Sequence, residues 1–415
     1  VTVAAPRTRV SSRSGRDGPL APLRVPAFRV LWVAGFVSNI GIWMQTVGAQ
    51  WQLVADDSSP VVVALVQTAS AAPVLLLALP SGVLGEFLNR RTVMLVTQVV
   101  QLGASLALVA MSAGDDLPAS TLLTLTCVLG AASAVQMPAA QSVISDIVPR
   151  EQVADAASLS SISVNVARAA GPAVAGLAIA QFGITAVFIV NAASFVIYLG
   201  ALIAWRNYRA PQTPAEPFLH AMREGVRFVF RSSLVRSLCI RLAIFLVPAN
   251  ALWALLPVFA KRTLGLGADG YGLLLGVLGV GTIVGAVLAG PWRARWGTNR
   301  VLSASTTLFV LALCALLFTC DLWVIFLALV AAGAAWIGVI ATVSAVVQAS
   351  LPERVRTRGL SIYQLVLYGG TAVGSAVSGA LAVAVGTDAV LVGAGAVVLL
   401  LTALQAFLPL ADQPS

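Results

Sequence analysis

Twelve long apolar runs, nearly free of charge and separated by short polar segments, fill most of the chain. They fall near 28–54, 61–85, 92–113, 118–146, 153–181, 184–205, 236–260, 270–291, 300–319, 322–349, 358–384 and 387–409. Each reaches the ~20 residues that a helix needs to cross the hydrocarbon of a bilayer. A water-facing surface normally carries about 25% charged residues. This chain of 415 residues has 10%, against 59% hydrophobic residues and a mean hydropathy of +0.94. The implied fold class is all-α and integral to the membrane, with twelve transmembrane helices. The first run exceeds the ~7–15 residues of a signal core, so it is read as a retained span.

The net charge of +9 would by itself suit nucleic-acid binding, but the placement of the charges argues against that. Arginines crowd one set of connections: Arg24, Arg29, Arg90, Arg91, Arg150, Arg206, Arg209, Arg223, Arg227, Arg231, Arg236, Arg293, Arg295, Arg300, Arg354, Arg356 and Arg358. The opposite set holds only Lys261 and Arg262 as cations, beside Asp56, Asp57, Asp115, Asp116, Asp269, Asp321 and Asp388. Positive charge collects on the cytoplasmic side of a membrane, so both termini are expected in the cytoplasm, in a plasma (inner) membrane. The domain organisation expected is a disordered tail over 1–27, a six-helix bundle over 28–205, a cytoplasmic central loop over 206–235, a second bundle over 236–409 and a short tail over 410–415.

An internal repeat relates the two halves. Pro149-Arg150-Glu151 is echoed by Pro352-Glu353-Arg354, Gly171-Pro-Ala-Val-Ala-Gly176 by Gly374-Ser-Ala-Val-Ser-Gly379, and Gly183 by Gly386. Every pair is offset by 203 residues. Two pseudo-symmetric six-helix bundles around a central site is a transporter architecture.

Ser38-Asn39-Ile40-Gly41-Ile42-Trp43-Met44-Gln45, Pro138-Ala139-Ala140-Gln141, Val148-Pro149-Arg150-Glu151 and Asn165-Val166-Ala167-Arg168-Ala169-Ala170-Gly171-Pro172 occur in order at spans one, four and five. Together they resemble the enterobactin-exporter-like group of the major facilitator superfamily, whose members export siderophores, macrolides and other small amphipathic compounds. The resemblance implies the major facilitator fold and secondary transport, with protons as the coupling ion. It also implies that spans one, four, seven and ten surround the central cavity. Gly82-Val83-Leu84-Gly85-Glu86-Phe87-Leu88-Asn89-Arg90-Arg91 is similar to the superfamily's gating motif. Glu86 stands where Asp is usual, Phe87 where Arg is usual and Asn89 where a second Asp is common. Gly82 would permit close helix approach, Glu86 would bind a neighbouring helix end or an arginine, and Arg90 and Arg91 would anchor the loop to anionic lipid. A plain positive-inside anchor is the alternative.

Arg168 is the charged residue read as lying deepest in a span. Burying it costs ~2.5–3.5 kcal/mol on insertion scales, so it should face protein or a watery cavity. It would bind an anionic substrate group or help switch conformations, with Asn165 nearby, or else bond carbonyls of adjacent helices. Gly171, Pro172 and Gly176 would give a kinked, closely packed contact on which two halves rock. Substrate-cavity candidates at helical spacing are Asn39, Trp43 and Gln50 in span one, and Gln136, Met137 and Gln141 in span four. Asn250 and Trp253 in span seven and Trp336, Ser344 and Gln348 in span ten complete the set. Amides and rings in a mostly apolar cavity suit a bulky amphipathic ligand; amides that only tie helices together are the alternative. Trp51, Trp205, Trp292, Trp296 and Trp323 are read as interface anchors.

No catalytic group, metal site or cofactor is expected. The four cysteines lack ligand spacing, the one histidine (His220) lies in the central loop, and no GK[ST] phosphate loop occurs. No Asp or Glu is read deep in a span. Partners are then a small-molecule substrate, the bilayer and protons, with no nucleic acid and a monomeric chain. A proton-driven exporter leads; an importer or uniporter on the same scaffold, or a non-transporting membrane sensor, are the alternatives.

Overall fold

The computed structural model describes the backbone of residues 18–87, 89–114, 117–205, 232–351 and 356–407, and the side chains of these except 78–87, 356–358, 361 and 404–407. Among the described residues there are twelve α-helices: α1 Pro26–Ala55, α2 Pro60–Phe87, α3 Arg90–Ala113, α4 Ala119–Ile147, α5 Val153–Phe182 and α6 Ile184–Ala204 in the first half. In the second half are α7 Ser233–Arg262, α8 Ala268–Trp296, α9 Thr298–Phe318, α10 Leu322–Ser350, α11 Arg356–Val385 and α12 Thr387–Phe407. Large apolar side chains stand exposed along many of them, such as Leu106 on α3, Leu177 on α5 and Leu327 on α10. Water would penalise such a surface; hydrocarbon does not. The chain is a multi-pass membrane protein.

Helix pairings obey the repeat. In the first half α1 packs on α5 and α6, α2 on α4, and α3 on α4 and α6. In the second, α7 packs on α11 and α12, α8 on α10, and α9 on α10 and α12. Adding six to each helix number converts one set into the other. Two further seams, α2 with α11 and α5 with α8, join the halves and exchange under the same operation.

The repeated glycines explain the repeat physically. A Cβ at Gly171 would sit 2.7 Å from Trp43 Cβ on α1, and one at Gly374 would sit 2.5 Å from the Val247 carbonyl oxygen on α7. Both are intra-half contacts. A Cβ at Gly176 would lie 2.7 Å from the Ala268 carbonyl oxygen on α8, and one at Gly379 2.6 Å from Ala64 Cβ on α2. Both are inter-half contacts. Gly183 (φ +79°) and Gly386 (φ +89°) each join consecutive helices as a single left-handed residue, a conformation that glycine adopts without penalty.

Several expectations change at the helix ends. The disordered tail expected over 1–27 is structured from Gly18: Ala21–Arg24 form a 3-10 turn, and α1 begins at Pro26. Leu23 and Val25 pack against a small core of Phe28, Val148, Ala156 and Leu159, which fixes this segment. Residues 1–17 and 408–415 lie outside the described residues, as do 206–231 of the central loop. Ser232 caps α7 through Val235 N, so the helix starts before residue 236. Arg241 therefore also falls inside a helix, two turns from its start. Trp51, read as an interface anchor, is buried and stacked on Tyr271 of α8, because α1 and α8 meet at that level.

Candidate functional site

Gly171 of α5 carries no side chain, and the space it leaves is occupied by Trp43 of α1. That packing lays the Trp43 ring beneath Arg168, whose guanidinium carbon is 5.5 Å from the ring centroid. A cation over an indole face is attracted by the ring quadrupole. Arg168 Nε is buried without a hydrogen-bond partner, and among the described residues no carboxylate pairs with the guanidinium. Tyr368 of α11, from the other half, lies within electrostatic range of it. Trp43 also approaches Trp253 of α7, with centroids 6.4 Å apart. Trp253 stands edge-on to Trp336 of α10 at 5.8 Å, and Phe245 lies 5.8 Å from Trp336. An aromatic path thus runs from the Arg168 cation into the second half.

A cavity of about 170 Å³ opens beside this centre. Its polar lining comes from Gln45 and Thr46 of α1, Ser70 of α2, Thr126 and Ser133 of α4, and Tyr368. Met137 and Phe195 supply apolar wall. Gln45 and Thr126 are 4% and 2% exposed, and Gln45 Nε2 and Thr126 Oγ1 have no partner. Buried polar atoms are nearly always paired, and these two belong to residues that line one cavity, where a bound group can pair them.

The halves are fastened at one end. Lys261 Nζ at the end of α7 donates to the Val54 carbonyl oxygen (2.7 Å) and to Asp57 Oδ1 (2.8 Å), so a cation sits on the last carbonyls of α1. Asp57 holds its carboxylate there from a left-handed conformation, φ +53°. Its hydrogen bond and charge interaction with Lys261 hold its carboxyl below the ordinary value of 3.8. One turn below, the Tyr271 hydroxyl donates to Gln50 Oε1 at 2.8 Å. Thr68 Oγ1 of α2 donates to the Ala372 carbonyl oxygen of α11 at 3.1 Å. Small residues let the seams close: Gly272 of α8 meets the Pro172 carbonyl oxygen, and Gly276 meets Ala173.

The remaining candidates spread over several places. Met137, Trp43, Arg168, Trp253 and Trp336 share the centre. Gln50 does not: it belongs to the fastened end. Gln136 Oε1 accepts from Thr97 Oγ1 at 3.2 Å and ties α4 to α3 within one half. Asn165 and Asn250 donate to carbonyls one turn back on their own helices, Ser161 and Leu246. Asn39 is half-buried and Gln141 exposed. Gln348 Nε2 donates to Ser344 Oγ at 2.9 Å near the opposite end of α10. Gly176 sits in the α5–α8 seam. Gly82 and Glu86 lie outside the residues whose side chains are described. Arg90 pairs with Asp146 of α4 at 2.8 Å, and Arg91 Nε donates to the Leu202 carbonyl oxygen at the end of α6. Both arginines thus bond to other helices of the first half.

Sequence reasoning passed over Gln45, Thr126, Ser133 and Tyr368. Thr126, Ser133 and Met137 fall at i, i+7 and i+11, one helical face, which is the signal that could have found the cavity. Among the described residues no three potential metal ligands stand together.

Comparison with known proteins places this geometry. The model of the transmembrane secretion effector family matches residues 17–415. The chain is 25% identical to the enterobactin exporter of Shigella boydii over 365 residues, 86% of this chain and 85% of that one. It is 20% identical to the staphyloferrin A transporter of Staphylococcus aureus over 69% of this chain and 72% of that one. An uncharacterized MFS-type transporter of Bacillus subtilis is 29% identical over 210 residues, and the match spans about half the length of each chain, 48%. In fold the chain is similar to the nucleoside transporter NupG, with a TM-score of 0.76 at 12% identity over 92% of this chain and 99% of that one. It is also similar to a bacterial homologue of the lysosomal transporter Spinster in an inward-facing, occupied conformation, at 0.74 and 18% over 95% and 99%. With helix pairings that repeat between two six-helix halves and a family match over almost the whole chain, this protein belongs to the transmembrane secretion effector family of major facilitator superfamily transporters.

Proposed function

We propose that the chain exports a small amphipathic molecule from the cytoplasm by alternating access, driven by protons and acting as a monomer. One observation carries the reading. The described hydrogen bonds between the halves cluster from the Asp57 end to the level of Thr68, while Arg168 and Trp43 lie further along the same interface and the cavity opens within the first half, with Tyr368 of the second half in its wall. One end is fastened and a site waits behind it. With the arginine-rich end in the cytoplasm, as charge asymmetry favours, the fastened end is external and cargo loads from inside. Two relatives, an enterobactin exporter and a staphyloferrin A transporter, support a small metabolite as cargo.

Inside-out vesicles test the reading. A panel of siderophores, macrolides and small organic acids should include a compound that accumulates when the vesicle interior is acidified. An uncoupler should abolish that accumulation, and Arg168→Ala should reduce it strongly without loss of insertion. Accumulation that ignores the gradient favours uniport, the second reading, which the lack of an Asp or Glu read deep in any span supports. Uptake only into right-side-out vesicles would reverse the direction.

A further inference from the structure

Resting on the transporter reading above, we propose a two-point substrate site. Arg168 takes an organic anion, and the cavity beside it takes a ring-sized group bearing a hydrogen-bond acceptor, received by Gln45 Nε2 and Thr126 Oγ1. Three features of the centre set this chemistry.

The first is charge. Arg168 sits mid-helix over Trp43, with Nε unpartnered and no carboxylate paired to it among the described residues. A cation held at membrane depth with no carboxylate paired to it among the described residues is costly, and an anionic ligand offsets that cost on binding. A cationic cargo would add like charge at the same place.

The second is size. A dry cavity of about 150 Å³ lined by aliphatic and aromatic groups accommodates a benzene ring. The cavity here, about 170 Å³, is comparable and has Leu129, Val74 and Phe195 in its wall. That volume matches one substituted ring.

The third is polarity. An amide N–H and a hydroxyl are left without partners in the same wall, and both can donate. The complementary group is an acceptor, such as a ring nitrogen or a carbonyl. Tyr368 ties the two points together, since it lines the cavity and lies within electrostatic range of Arg168. It comes from α11, in the second half, so a ligand at both points touches both halves. This is what lets binding bias a rocking equilibrium.

The test uses the full chain in lipid nanodiscs and three soluble probes of one shape. They are 3-(pyridin-3-yl)propanoate, its uncharged primary amide, and 3-phenylpropanoate. Equilibrium binding, read by quenching of tryptophan fluorescence and checked by dialysis, gives the affinities. The pyridyl acid should bind about tenfold tighter than its amide and about fivefold tighter than the phenyl acid, the range expected for a charge-assisted pair and a neutral hydrogen bond. Arg168→Gln should erase the preference for the acid and leave the pyridyl preference. Arg168→Lys should keep part of the first preference, which separates charge from folding. Gln45→Leu with Thr126→Val should erase the pyridyl preference and keep the preference for the acid. Equal affinity for acid and amide in the wild type, or preferences unchanged in both variants, would overturn the assignment. The export reading fails separately, if no compound of any charge is moved in vesicles; selective binding of amides or cations with intact transport overturns only the two-point site.

Discussion

Replacing Gly176 by alanine tests whether the α5–α8 seam sets the resting state. The added Cβ would lie 2.7 Å from the Ala268 carbonyl oxygen and 2.9 Å from Gly272 Cα, both backbone atoms that cannot rotate away. Carbon atoms rest at about 3.5–4.0 Å, so the helices must part by about 1 Å at that level. Overpacking of this kind costs about 1–3 kcal/mol. Alanine's better helix propensity does not offset it, because α5 is helical whether the seam is open or closed. The whole penalty then falls on the fastened state and shifts the equilibrium toward the unfastened one by about 5- to 150-fold. Nitroxide labels on Ser58→Cys and Thr263→Cys, in a background lacking Cys127, Cys239, Cys314 and Cys320, report the separation of α1 from α7 by pulsed electron resonance. The variant should gain a longer-distance population. Gly103→Ala, where nothing lies within 4 Å of the new methyl, should leave the distribution unchanged. A folded Gly176→Ala protein with the wild-type distribution would refute the argument that backbone contact holds this end shut.

Gln50→Leu should lower stability or the fastened population by about 1–3 kcal/mol, since the fully buried Tyr271 hydroxyl loses its acceptor; adding Tyr271→Phe should recover part of it, and a thermal-unfolding cycle reads the coupling. Lys261→Met should raise maleimide labelling of Ser58→Cys, because the cation on the α1 carbonyls is gone. The Asp57 carboxyl is held below 3.8 in the folded protein, so its pairing with Lys261 is fully present above that value and is lost only as pH falls below it. Labelling of Ser58→Cys, taken as a ratio to that of free cysteine at the same pH to remove the thiolate dependence, should therefore stay constant from pH 7 to 5, and a rise of that ratio within the window would count against the pairing. Asp146→Asn should destabilise the first half by about 1–2 kcal/mol by stranding the partly buried Arg90, and Arg90→Gln in the same chain should restore part of the loss in melting temperature.

Much of the architecture was legible because membrane helices announce themselves by length and apolarity, and because small residues at fixed spacing mark close backbone contact. Gly171 and Gly176 were read as one packing motif; their partners could not be read. One glycine serves its own half and the other serves the seam, a division that depends on which helices meet. Gln50 was assigned to the cavity by helical spacing with Asn39 and Trp43. Spacing fixes a face but not a depth, and Gln50 lies two turns nearer the fastened end than Trp43. Arg90 and Arg91 were referred to lipid because charge counts say which side a loop faces and nothing about partners; Asp146 and the end of α6 come from sequence-distant helices. Gln45, Thr126 and Tyr368 were missed since an isolated polar residue in an apolar run resembles any helix tie. Only the cavity that five helices form together distinguishes them.

Phe182 and Ile184 belong to successive helices with one residue between them, and Val385 and Thr387 repeat the arrangement. A one-residue elbow has no slack. α5 cannot slide against α8 without dragging α6, which is packed on α1 and α3, and α11 is tied to α12 in the same way. A displacement of α5 at its seam is therefore passed directly into α6, and one of α11 into α12, so neither seam helix moves alone.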